Sequence, residues 1–253
     1  MSQKAARIAI VTGATSGIGE ATARRFVSEG YAVIGGGRRG ERLKALEAEL
    51  GERFVGVEGD SAEEGVIDHY FSEARAAFGA DADLVVVNAG RGLGGSVKDG
   101  ALDEFEDVLK VNVVGATLLM QKAARLLAER QEKHYPGKAA DIVVIGSVVG
   151  RMVSPFSAIY GSTKFAIHAM AEALRREIGP KGVRVTCVAP GIVVSGFQDV
   201  AGYDEELVQS FHDKFGPLLH GEDIAETISH VVGLPPHVHL SDVVVRPTRQ
   251  DYP

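Results

Sequence analysis

Two hydrophobic patterns alternate along the chain. Short β-branched apolar runs stand at 7–12 (RIAIVT), 31–35 (YAVIG), 53–57 (RFVGV), 83–87 (DLVVV), 141–146 (DIVVIG), 183–188 (VRVTCV) and 242–246 (DVVVR). They are apolar at consecutive positions rather than at every second one, as in strands buried on both faces of a parallel sheet. Between them, the stretches 18–28, 42–50, 105–129 and 158–178 carry apolar residues at helical spacing. Strand and helix therefore alternate from one end to the other. That order predicts an α/β fold, a single Rossmann-type doubly wound domain whose mostly parallel, about seven-stranded sheet is flanked by helices. No linker, repeat or low-complexity tract interrupts it, so residues 1–253 are expected to form one domain.

Composition removes several classes of function. With 27 Lys+Arg against 34 Asp+Glu the net charge is −7, which disfavours a nucleic acid or an anionic membrane as partner. The single cysteine, Cys187, leaves neither a disulfide framework nor a thiolate zinc site. His134, His212, His220, His230, His237 and His239 are scattered, and no metal site is expected. No run approaches the ~18 apolar residues of a membrane span, and the apolar stretch at 7–11 is too short for a signal-peptide core. A reducing, cytoplasmic setting is the expectation.

Candidate chemistry lies at strand-to-helix junctions. The first strand runs into Thr12-Gly13-Ala14-Thr15-Ser16-Gly17-Ile18-Gly19. There Gly13 can make a tight turn, Gly17 can let backbone approach a pyrophosphate, and Gly19 can let the helix pack close to the strand. Phosphate is also favoured by the helix N-terminus itself. The second strand ends in Gly35-Gly36-Gly37-Arg38-Arg39, with no carboxylate to accept a ribose 2′-hydroxyl. Arg38 and Arg39 suit a 2′-phosphate instead, so NADP(H) is the expected cofactor and NAD(H) the alternative. Further on, Tyr160 and Lys164 stand four residues apart on a helix, hence on one face. Such a pair arises by chance in about a quarter of chains of this composition, and context decides it. Ser147, at the carboxyl end of the fifth strand, supplies that context. A carbonyl that receives hydride needs a proton donor, and a phenol is too weak an acid near neutrality unless a neighbouring ammonium lowers its pKa. Lys164 is expected to do so, with Ser147 hydrogen-bonding the substrate oxygen.

With these motifs in order, the sequence resembles the compact short-chain dehydrogenases/reductases over nearly its whole length. By that resemblance TGATSGIG is the cofactor turn and Asp60 meets the adenine. Asn88-Ala89-Gly90 matches the family's NNAG stretch, with Val87 in place of its first Asn. The resemblance makes Asn112, Ser147, Tyr160 and Lys164 a catalytic tetrad, in which Asn112 holds a water in a proton relay with Lys164 and Lys164 also bonds the nicotinamide ribose. It places Pro190, Gly191, Val193 and Ser195 beside the nicotinamide, Ser195 standing where many members carry Thr. The segment 194–220 would cover the substrate, and its Phe197, Tyr203, Phe211 and Phe215 suit a partly apolar lid. Arg91, Val149, Arg151 and Phe197 are candidate substrate contacts, the arginines as receivers of an acid group. The closing DVVVRPTRQDYP is similar to the ends of an NADP-dependent branch acting on hydroxy acids and small carbonyl compounds. The function implied is hydride transfer between NADP(H) and a small alcohol or carbonyl substrate. A family-like protein that binds nucleotide without turnover is the competing class. Val111, Val114, Leu118, Ile167, Met170 and Leu174 exceed one core stripe on their helices, and by the resemblance these helices build a homodimer or homotetramer.

Overall fold

In the computed structural model, residues 7–98, 102–155, 157–197 and 201–252 are described. Seven strands form one all-parallel sheet: β1 (Ile8–Thr12), β2 (Ala32–Gly37), β3 (Phe54–Glu58), β4 (Leu84–Val87), β5 (Asp141–Ile145), β6 (Arg184–Pro190) and β7 (Asp242–Val245), in the spatial order β3-β2-β1-β4-β5-β6-β7. Each expected run is a strand. The order reverses between β1 and β4, and the crevice outside the carboxyl ends of these strands is where open α/β sheets bind ligands.

Alternate residues of each strand feed two apolar layers. Ile8, Ile10, Ile34, Val85, Ile142, Val144 and Val185 face α3 (Glu64–Phe78), α5 (Ala116–Gln131) and α6 (Ala158–Ile178). Ala9, Val11, Val33, Leu84, Val86, Val143 and Val188 face α1 (Gly17–Ser28), α2 (Gly40–Leu50) and α8 (Gly221–Gly233). Double-sided burial is why the runs lack alternation: a polar residue at either phase would be lost in one layer. Complete burial of side chains such as Phe26, Ile34, Leu127 and Ile224 contributes about 1.5–3 kcal/mol each before conformational entropy is counted. The glycines of β2 belong to the same packing. A Cβ at Gly35 would collide with the Phe54 ring, and one at Gly36 would stand 2.5 Å from the hydroxyl of buried Tyr70.

The long helix expected over 105–129 is not uniform. α4 (Leu102–Leu109) passes through a π-helical turn, Lys110–Gly115, before α5 begins. The widened turn carries buried Asn112 toward the strand ends, and such insertions in helices often mark functional sites. Of the apolar residues counted as surplus, Ile167 is a core residue, Leu118, Met170 and Leu174 are partly buried, and Val114 is 51% exposed. The region after β6 holds α7 (Glu205–Phe215), whose N-terminus is capped by the Asp204 side chain accepting from Leu207 N at 2.8 Å. Among the described residues, no helix is long and apolar enough to cross a membrane.

Candidate active site

Thr12, the last residue of β1, ties the glycine turn to the end of β4. Its hydroxyl accepts from the N–H groups of Asn88 and Ala89, both at 3.1 Å, and donates to Val86 O. Asn88 answers with Nδ2 donating to Thr12 O at 2.7 Å. The Asn of the NNAG-like stretch thus braces the turn, and Val87 in place of its neighbour is simply buried. Gly13 adopts a φ of 67°, and a Cβ at Gly19 would collide with Gly13 O and Asn88 Nδ2. At the N-terminus of α1, Ser16 makes no side-chain capping bond. The first-turn N–H groups are then left for an anion, which fits a dinucleotide pyrophosphate. Ile18 packs on the second apolar layer and Thr15 is buried.

At the end of β2 both arginines are exposed, and Arg39 donates from Nε and Nη2 to Thr15 Oγ1 at 3.1 and 2.8 Å. A guanidinium is thereby fixed against the phosphate-side turn. Glu58, paired in register with Gly37, turns its carboxylate against Gly40. Asp60 accepts from Ala62 N at 2.9 Å and lies 4.0 Å from Lys110 Nζ.

Ser147 caps a short turn, Val148–Gly150, through Val149 N at 3.4 Å, and its side chain lies close enough to the Tyr160 phenol to lower its pKa. Val149 is buried behind it. Asn112 is anchored through its amide: Oδ1 accepts from Arg91 N at 2.8 Å, and Nδ2 donates to Arg91 O at 2.9 Å and to Thr163 Oγ1 at 3.2 Å. It also faces Lys164 across Gly90, where a Cβ would stand 3.3 Å from Asn112 Oδ1 and 3.9 Å from Lys164 Nζ. The four expected catalytic residues therefore meet at one place.

The electrostatics differ from the expectation. Burial pushes the Tyr160 phenol above its ordinary range, against the opposing influence of the Ser147 side chain, and nearby Tyr203 adds to the rise. Lys164 directs Nζ to Ile145 O at 2.8 Å, 5.6 Å from the centre of the tyrosine ring. Its own pKa falls to about 8 because it is desolvated. Desolvation is the largest influence on the phenol in this geometry, and its direction is upward.

The two arginines expected to receive an acid group each stand in ion pairs of their own. Arg91 pairs with Glu104 at 2.8 Å and Asp107 at 3.3 Å, and Arg151 pairs with Asp242 of β7. Phe197 does reach the site, its ring meeting Tyr160 edge-on with centroids 5.3 Å apart. The loop after β4 admits it: a Cβ at Gly92 would stand 2.5 Å from Phe197 Cζ, and Gly94 N donates to Ala201 O at 3.1 Å. Tyr203, Phe211 and Phe215 continue the aromatic cover; residues 198–200 lie outside the described residues. Beyond Pro190, Gly191 N bonds Val245 O, and Ile192 N donates to the side chain of Gln250 at 3.0 Å. Val193 pairs with Leu219, and Ser195 Oγ accepts from Phe197 N and packs near Gly17. Sequence reasoning missed Gln250, whose isolated position near the terminus gives no periodic signal.

The family model described as short chain dehydrogenase matches residues 7–206. The chain belongs to the short-chain dehydrogenases. Among curated relatives of this short-chain dehydrogenase, the serine 3-dehydrogenase of Agrobacterium fabrum is 33% identical over 96% of this chain and 94% of that protein. An uncharacterised oxidoreductase of Staphylococcus aureus is 31% identical over 95% of this chain and 97% of its own length. The solved closed form of a serine dehydrogenase complexed with NADP+ superposes with a TM-score of 0.88 at 30% identity, covering 97% of this chain and 96% of that one. A 3-ketoacyl-(acyl-carrier-protein) reductase from Brucella melitensis complexed with NADH gives 0.87 at 25% identity, over 98% and 99% of the two chains. This short-chain dehydrogenase is accordingly an oxidoreductase of the class acting on CH–OH groups, with solved relatives that hold NADP+ or NADH.

Proposed function

We propose that this short-chain dehydrogenase transfers hydride between NADP(H) and a small alcohol or carbonyl compound, with Tyr160 as the proton donor and acceptor. The observation that carries the reading is the convergence of Ser147, Tyr160 and buried Lys164 at the carboxyl edge of the sheet, with Lys164 Nζ 5.6 Å from the centre of the Tyr160 ring and Phe197 packed edge-on against that ring. The nicotinamide cofactor supplies or removes the hydride. Gly13, Thr15, Ser16, Gly17, Ile18 and Gly19 would hold its pyrophosphate, Asp60 its adenine side, and Asn88, Ala89, Gly90, Pro190, Gly191, Val193 and Ser195 its nicotinamide half. Arg39, anchored on Thr15, and Arg38 favour the 2′-phosphate over a free hydroxyl.

In carbonyl reduction, the raised phenol keeps its proton until the carbonyl oxygen gains charge, then passes it to that oxygen. Ser147 donates to the same oxygen and orients it. Lys164 sits close enough to the phenol to compensate the phenolate that results, and its pKa of about 8 lets it exchange a proton near neutrality. Asn112, facing Lys164 across Gly90, is the candidate residue to hold the water of a proton relay. The single domain 1–253 carries both functions, with 194–220 as the cover. The surplus apolar surface around Val114 and Phe165 suits a homodimer or homotetramer.

The serine 3-dehydrogenase relatives make a β-hydroxy amino acid the first substrate to test. The pairing of Arg91 and Arg151 with carboxylates instead favours small neutral alcohols. The experiment is a panel of L-serine, simple hydroxy acids, short alcohols and aldehydes with NADP+/NADPH and NAD+/NADH, followed by absorbance of the reduced nicotinamide. Turnover of any small CH–OH or carbonyl compound, abolished by Tyr160→Phe, supports the reading. Turnover that survives that substitution overturns it.

A further inference from the structure

One turn beyond Lys164 and two beyond Tyr160, His168 continues the same stripe of α6. Its ring lies against the end of β5, where Nε2 accepts a hydrogen bond from the backbone N–H of Ser147 at 3.2 Å. Glycines make the room. A Cβ at Gly146 would collide with Nε2, and one at Gly150 would stand 2.9 Å from it. Lys164, from the same helix, holds the carbonyl of Ile145 at 2.8 Å. Two side chains of α6 therefore grip the main chain on either side of Gly146, whose own N–H is bonded to Val188 O at 2.7 Å.

We propose that His168 is a positioning residue for the reaction: by accepting the Ser147 N–H bond it sets the backbone from which the Ser147 hydroxyl reaches Tyr160 and the substrate oxygen. The inference rests on the reading of Ser147 and Tyr160 as the polar pair at the reacting carbon–oxygen bond. His168 itself acts only through Ser147. An N–H directed at Nε2 requires that nitrogen to be unprotonated, so the ring is the Nδ1–H tautomer. Its surroundings enforce neutrality. Burial, Arg151 and Lys164 hold the imidazole pKa at about 4, with Asp242 acting weakly the other way. A charged ring would present a donor to a donor and push Ser147 off its register.

The test compares His168→Leu, which fills the space without an acceptor, with His168→Gln, whose amide oxygen can take the same N–H. In the cofactor-bound enzyme, with L-serine or the panel alcohol of highest turnover as probe, His168→Leu should lower kcat by about ten- to a hundredfold, the scale of a misplaced reacting group. NADPH affinity, measured by nucleotide fluorescence, should stay unchanged, and exchange of the Ser147 amide hydrogen should speed up. His168→Gln should restore most of both. Wild-type kcat in His168→Leu, or a Gln variant as impaired as the Leu variant at equal melting temperature, overturns the proposal. The 15N shifts of the His168 ring decide the hydrogen bond even if no panel compound is turned over, since a protonated Nε2 is incompatible with it. In that event it is the reaction assigned to Tyr160 that has failed.

Discussion

The two ends of the sheet treat buried charge in opposite ways. At the amino edge, Arg184 spends its guanidinium on both oxygens of Asp141, at 2.7 and 3.0 Å, and on the carbonyls of Val232, Leu234, Pro235 and Val238. Arg7 adds ion pairs to Asp83 and Asp141, each at 2.8 Å. This network joins the starts of β1, β4, β5 and β6 to the end of α8, and the charge on Arg7 is held more firmly than usual by its two carboxylates despite burial. At the carboxyl edge, Lys164 donates to the Ile145 carbonyl and makes no ion pair among the described residues, and both Lys164 and His168 have their pKa values lowered by desolvation. Burial with full pairing fixes a protonation state and makes a staple. Burial without a paired carboxylate disfavours the cation, which brings Lys164 close to balance and holds His168 neutral.

The comparison breaks most sharply at Tyr160. Tyr160→Phe should cut turnover by about 10²–10⁴-fold, the range for losing a general acid, with melting temperature and NADPH affinity nearly unchanged. Near-normal turnover would remove the carboxyl edge from the chemistry. The opposite signature is expected of Arg184→Met, which leaves Asp141 buried beside fewer partners and should cost about 3–5 kcal/mol of stability in a urea titration. The kcat of the molecules that remain folded should match wild type; a selective loss of kcat would mean that the two edges are coupled.

A smaller effect is expected of the double change Arg38→Leu with Arg39→Leu: NADPH affinity should fall by about one to two decades while NADH affinity holds, as for lost charge-assisted hydrogen bonds. An unchanged ratio of the two affinities would favour NAD(H) and give weight to Glu58 near the same turn. Substituting Gly37 with Asp is a poorer probe, since its Cβ would stand 2.8 Å from Thr15 Cγ2 and disturb the turn itself.

The smallest effect is on acid stability. The His168 pKa falls from 6.5 to about 4 on folding, so between these values the unfolded chain binds more protons. Its contribution is complete above pH 6.5 and is lost as the pH falls toward 4. The groups acting on the ring, Arg151, Lys164 and Asp242, are present in both proteins compared: wild type and His168→Gln. Unfolding midpoints should therefore converge or cross as the pH drops through this window. A difference independent of pH would show that the ring is not kept neutral by the fold.

The strands were legible because double-sided burial writes an unbroken apolar run, and the turn at Gly13–Gly19 because a tight turn and close helix packing demand glycine at particular places. The grouping of Asn112, Ser147, Tyr160 and Lys164 was expected only through resemblance, since they stand 13 or more residues apart except for Tyr160 and Lys164. The ion pairs of Arg91 and Arg151 were not legible, because nothing in the local sequence shows that Glu104, Asp107 and Asp242 come from other segments to meet them. His168 and Gln250 passed unnoticed for a similar reason. Each bonds the backbone of a remote loop, and the spacing of a single residue carries no record of such a bond.

The amino-acid sequence by itself determined which residues form the seven strands, where the glycine turn after β1 lies and which polar groups stand at strand ends. These follow from periodicity, backbone conformation and the chemistry of side chains taken locally. Only the tertiary structure decided the charge state of the site. Whether the Tyr160 phenol rises or falls, whether Lys164 is held by a carbonyl or by an acid, and whether an arginine is available or paired all depend on desolvation and on groups from distant segments. Those quantities come into being when the sheet and its helices close around the same few ångströms of space.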